Sequence, residues 1–84
     1  MAPTSNRPVD WEALVQENEN RLYRAALAIL GSPQDAEDAV QDAFVKYLEK
    51  APAELKAPNA WLMRVLINGC KRRLRLAWRQ VGPI

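Results

Sequence analysis

Apolar residues recur three or four positions apart in three stretches of the chain. The first runs through Leu14, Val15, Leu22, Ala26, Leu27 and Leu30, and the second through Ala36, Ala39, Val40, Ala43, Phe44, Tyr47 and Leu48. The third takes in Leu62, Met63, Leu66, Ile67, Cys70, Leu74, Ala77 and Trp78. That spacing gathers the apolar side chains on one face of a helix, whereas a strand would need strict alternation, and no alternating stretch occurs. The pattern predicts an all-α protein, a compact three-helix bundle.

Start and stop signals bound the helices. Asp10 is placed to cap the first, and Gly31 ends it. Ser32 then offers a second cap, Pro33 suits the first helical position, and Asp35 puts a carboxylate at the positive end, so a second helix is expected from about Pro33 to Glu49. Lys50 to Pro58 reads as a connector, with room for one short extra helical turn at 52–57. Asn59 is expected to cap a third helix from Ala60 to about Trp78. Residues 1–9 read as a flexible arm and 81–84 as a tail with Gly82-Pro83 turn chemistry, leaving 10–80 as the helical domain.

Composition narrows the chemistry. At 84 residues, 49% of them hydrophobic, the chain makes one small domain with a modest core. A single cysteine, Cys70, and no histidine exclude an internal disulfide, the usual zinc spacings and any Cys-His or Ser-His pair. No enzyme activity, cofactor, metal or small-molecule substrate is therefore expected. No apolar run approaches the roughly 20 residues of a membrane span, and the polar start lacks the apolar stretch of a signal peptide. A cytoplasmic protein without a membrane partner is the expectation, and Cys70, on an inward face, is expected to pack rather than react.

Charge changes the picture most. Residues 1–50 carry five bases and nine acids, and 51–84 seven bases and one acid, so the net +2 conceals two opposed halves. Asp35 to Glu49 holds five acids and one base; Arg64 to Arg79 holds six bases and no acid. On the third helix Trp61, Arg64, Asn68, Lys71, Arg72, Arg75 and Arg79 share the side opposite the apolar one. A solvated surface is the plain reading of such a stripe. The absence of acids, an aromatic at its start and an amide able to read a base edge point instead to nucleic acid. Trp61 has two readings, an exposed stacking platform or a partly buried anchor, and the sequence leaves both open, as it does core or surface for Trp11 and Tyr23. On the second helix Asp38, Gln41, Asp42, Val45 and Glu49 face outward, a ridge with a small apolar centre suited to a protein partner.

The run from Gly31 through Ser32, Pro33, Gln34, Asp35, Ala36, Glu37, Asp38, Ala39, Val40, Gln41 and Asp42 to Leu48, followed by Ala60 to Asn68, closely resembles the second region of bacterial RNA polymerase sigma factors. The extracytoplasmic-function group is the best match, over roughly residues 11–79. The resemblance implies a promoter-recognition domain acting by binding alone. Asp38, Gln41 and Asp42 would dock on the clamp helices of the polymerase β′ subunit, with Val45, the apolar centre of the same outward ridge, as a further contact. Trp61 and Asn68 would hold flipped bases of the non-template strand of the minus-ten element and support its melting, with Arg64, Lys71, Arg72 and Arg75 on the DNA backbone. An anti-sigma factor is a further partner the resemblance implies.

Two departures stand out. The connector Ala51 to Pro58 lacks the aromatic-Arg-Gly pattern common in the family's base-capturing loop. The chain also stops before the helix-turn-helix domain that reads the minus-thirty-five element, and its Gly-Pro-Ile end favours an excised domain. The alternative is a helical interaction domain without specific DNA readout. A basic amphipathic helix lying on anionic membranes ranks lowest, because its apolar side is needed for the core.

Overall fold

The computed structural model describes residues 10–81, with side chains through Arg79, so the expected arm at 1–9 and the Gly82-Pro83 turn lie outside the described residues. Three helices follow one another: α1 (Trp11–Leu30), α2 (Pro33–Lys50) and α3 (Pro58–Val81), each packed on the other two. Among the described residues there is no strand. The three-helix bundle expected from the periodicity is what forms.

Local chemistry sets most helix ends. The Asp10 carboxylate accepts from the Glu12 amide at 3.1 Å, occupying one of the donors that the first turn leaves free. Gly31 stops α1 with φ of 73°, a left-handed conformation open to glycine at little cost, and its amide donates to the Leu27 carbonyl at 2.8 Å. One residue later the Ser32 hydroxyl accepts from the Asp35 amide at 3.3 Å, with Pro33 in the first turn where its missing donor costs nothing. A single backbone bond, Leu55 amide to Pro52 carbonyl at 3.2 Å, makes a turn in the connector but no helix.

The third helix departs from expectation at both ends. It begins at Pro58, not Ala60, and the Trp61 amide already donates to the Ala57 carbonyl at 3.0 Å. Proline at the first position again sets the start. Asn59 therefore lies inside the helix and cannot be its cap; its side-chain oxygen accepts from the Asn18 amide of α1 at 2.8 Å. At the other end α3 runs to Val81, three residues past the expected Trp78 and into the expected tail.

The core is one cluster drawn from all three helices. α1 contributes Leu14, Leu22 and Ala26, α2 contributes Ala36, Ala39, Val40, Ala43 and Phe44, and α3 contributes Leu62, Leu66 and Cys70. Three alanines on the buried side of α2 let the neighbouring backbones come close, and each buried leucine contributes roughly 1.5–3 kcal/mol. At one end of the bundle the aromatic rings interlock. Trp11 meets Phe44 edge-on with centroids 5.7 Å apart and Tyr47 at 5.9 Å, and Tyr47 in turn meets Trp61 edge-on at 5.7 Å. Trp11 thus belongs to the packed end, and Tyr23 is half-buried.

Not every residue with the right spacing is covered. Leu48 is 55% exposed and Trp78 74% exposed, although both fall on faces expected to point inward. Ala77 is exposed too and Leu74 only half-buried, because among the described residues the core cluster and the hydrophobics packed on it end at Cys70, short of the last turns of α3.

Candidate nucleic-acid interface

Two exposed surfaces follow from this packing. Burial of Leu62, Leu66 and Cys70 against α1 and α2 turns the other side of α3 outward, and Arg64, Asn68, Lys71, Arg72, Arg75 and Arg79 are all exposed there. Arg64 to Arg79 spans about 22 Å at the helical rise. Among the described residues none of the stripe's five cations makes an ion pair with a carboxylate, so the field of the stripe is not cancelled within the protein. The stripe is thus continuous and accessible, as its periodicity predicts.

Trp61 settles on the second of its two readings. It is partly buried, packed against the core and held edge-on by Tyr47, so it is an anchor at the start of α3 that retains some exposed surface. Its position brings the opening of the stripe to the aromatic end of the bundle, where α1, α2 and α3 are locked together.

On α2, burial of Ala36, Ala39, Val40 and Ala43 turns Asp38, Gln41, Asp42, Val45 and Glu49 to solvent, with Val45 48% exposed among the carboxylates. The two charged surfaces touch at one place. The Arg73 guanidinium donates to the Asp42 carboxylate at 2.5 Å, across the groove between α2 and α3 that Ala39, Val65, Gly69 and Leu76 also line. Arg73 belongs to the basic run in sequence but lies in the seam between α2 and α3. Both partners are partly exposed, so the pair contributes about 0–1 kcal/mol.

One buried polar group lacks any counterpart in the sequence reading. Asn18 is fully buried in the middle of α1, at the same four-residue spacing as Leu14, Leu22 and Ala26. Its side-chain amide donates to the Leu14 carbonyl at 2.8 Å and to the Asn59 side-chain oxygen at 2.8 Å, while its own oxygen accepts from Arg21 at 3.1 Å. Every described buried side-chain nitrogen or oxygen has a partner. The signal was available: an asparagine four residues from a leucine on either side occupies a core position.

Cys70 is buried, and loss of solvation pushes its thiol up from the ordinary value, the nearby Arg73 cation pulling the other way. That keeps it protonated and suits packing rather than nucleophilic chemistry. Among the described residues no three metal-ligating side chains come together, and no helix is long and apolar enough to cross a membrane.

Against known proteins, the pattern of the sigma-70 region 2 family matches residues 14–80, nearly all of the described bundle. The chain is 32% identical over 69 residues to the ECF RNA polymerase sigma factor SigM of Mycobacterium tuberculosis, covering 80% of this chain and 35% of that protein. It is 30% identical over 59 residues to the ECF RNA polymerase sigma factor SigE of Mycolicibacterium smegmatis, covering 69% of this chain and 23% of that protein. The matched region thus spans about a quarter to a third of the length of these curated relatives. No solved structure matches the chain. The three-helix bundle, the two segregated charge surfaces and a family match over residues 14–80 together place this chain in the sigma-70 region 2 family.

Proposed function

We propose that this domain recognises promoter DNA as part of a sigma factor, holding core RNA polymerase with α2 and the non-template strand of the minus-ten element with α3. It acts by binding, without catalysis. The observation that supports this most directly is the uncompensated stripe of Arg64, Asn68, Lys71, Arg72 and Arg75, exposed along one side of a helix in a chain that matches sigma-70 region 2. Phosphates would be held by the four cations and a base edge read by Asn68, whose amide both donates and accepts. Trp61 would offer the exposed part of its indole to an unpaired base.

Asp38, Gln41, Asp42 and Val45 would meet a basic partner surface, the clamp helices of β′. Opposite charge on the two surfaces discourages docking the wrong way round, since the acidic ridge repels phosphate and the basic stripe repels a cationic protein face. Stacking of about 1–3 kcal/mol per base cannot open a duplex alone, so strand opening would draw on the polymerase as well. Residues 10–80 would be the unit that carries both contacts.

Fluorescence anisotropy of the chain with a labelled non-template minus-ten strand, against a scrambled strand and at two salt concentrations, tests this. Preference for the promoter strand, lost in Asn68→Ala while helical content stays intact, is the expected result. Equal binding of both strands by the unsubstituted chain, governed by salt alone, would reduce α3 to a basic surface without readout. The helical interaction domain would then be the better account.

A further inference from the structure

Trp78 is the most exposed of the large hydrophobic residues described, at 74%, although its spacing places it with the core. It stands one turn beyond Arg75, two beyond Lys71 and next to Arg79, all exposed. At the helical rise it lies about 15 Å past Asn68 along α3. The end of the basic stripe therefore carries an indole that is mostly open and belongs neither to the core cluster nor to the hydrophobics packed against it.

Two apolar explanations fit poorly. A helix that lies on lipid or on another copy presents a broad continuous apolar side. Leu76, 49% exposed, is two residues away, about 200° around the helix, and lines the groove beside Ala39 and Asp42. On the side of Trp78 itself lie only the half-buried Leu74 and the small Ala77, so among the described residues Trp78 is the one large open apolar side chain there, with Lys71, Arg75 and Arg79 exposed beside it. An anionic chain with flat, unpaired bases answers both features, because arginines and lysines hold its phosphates while the indole offers a face that any base can stack on.

We infer that Trp78 is a second nucleic-acid contact, a sequence-independent stacking site for an unpaired nucleotide, placed about 15 Å along α3 from Asn68. It rests on the reading of α3 as the nucleic-acid surface and extends that surface by two to three turns. Arg75 and Arg79 flank the stacked nucleotide and hold its phosphates. Sequence choice stays with the Asn68 end.

The test is anisotropy of the full chain with a labelled oligothymidylate of about 15 nucleotides, long enough for a site of this size. In Trp78→Ala we expect affinity to fall at least about fivefold, with the salt dependence unchanged because no charge is removed. Trp78→Phe should keep most of the binding, since a phenyl ring still stacks. Arg79→Gln should instead flatten the dependence of log K on log salt by about 0.7, the single-strand value per cation. Unchanged affinity in Trp78→Ala, or an equal loss in Trp78→Phe, overturns the assignment. So does a Trp78→Ala variant that loses only binding to phosphatidylserine vesicles, or only concentration-dependent dimerisation in sedimentation. Because oligothymidylate carries no promoter sequence, this outcome is independent of the Asn68→Ala comparison, and either reading can fail while the other stands.

Discussion

The first half of α3 and its last three turns share one sequence pattern and have opposite fates. Between Leu62 and Cys70 every fourth residue is sealed, with Leu62, Leu66 and Cys70 at or near zero exposure. From Leu74 onward residues of the same periodicity are half-buried or open, and Trp78 is mostly in solvent. Periodicity states which side chains a helix could bury; a neighbouring helix decides which it does. Here α3 is the longest of the three, 24 residues against 20 and 18, and its last turns lack that cover.

The sharpest way to break this contrast is to cut the same kind of side chain from both halves. Leu66→Ala should cost about 2–5 kcal/mol in urea unfolding, enough to unfold much of so small a domain. Leu76→Ala should stay within about 0.5 kcal/mol. Equal costs would mean that the end of α3 is packed in solution. Next in size is Asn18→Ala, which strips the Asn59 oxygen and the Arg21 guanidinium of their partner and leaves a small void; about 1–3 kcal/mol should be lost, read as a lower urea midpoint with an unchanged slope. Smallest, and opposite in sign, is Gly69→Ala at the junction between the two halves. An added Cβ there meets nothing within 4 Å, so the gain in helix propensity should raise stability by up to about 1 kcal/mol in the same measurement.

The helix boundaries that could be read from sequence are those set by neighbours in the chain. Asp10, Gly31, Ser32 and Pro33 act within four residues of themselves, so residue type and order suffice. The inward side of α2 was equally plain, since its alanines alternate with carboxylates at helical spacing. Asn59 shows the limit. An asparagine directly after a proline looks the same in sequence whether it caps a helix or lies inside one, and only the approach of Asn18 from α1 gives it another role. The exposed stripe of the candidate site was legible because charge is excluded from a core. Which aromatic stands free on it was not: Trp61 is held by Tyr47 on another helix, and Trp78 is left open by the absence of one. Arg73 is of the same kind, since its tie to Asp42 crosses between two helices and has no trace in either taken alone.

The amide bridge between Asn18 and Asn59 also bears on which alignment the helices choose. A bundle lined with leucines and alanines at regular spacing offers nearly equivalent apolar contacts after α1 slides along α3 by one turn, about 5.4 Å. Hydrophobic burial distinguishes such alignments weakly. The amide does not tolerate the shift, because a slipped α1 carries Asn18 away from Asn59 and leaves a buried donor without its partner, at about 1–3 kcal/mol. One polar side chain in the core thus acts as an index mark, holding the charged surface of α3 at a fixed height relative to the rest of the domain.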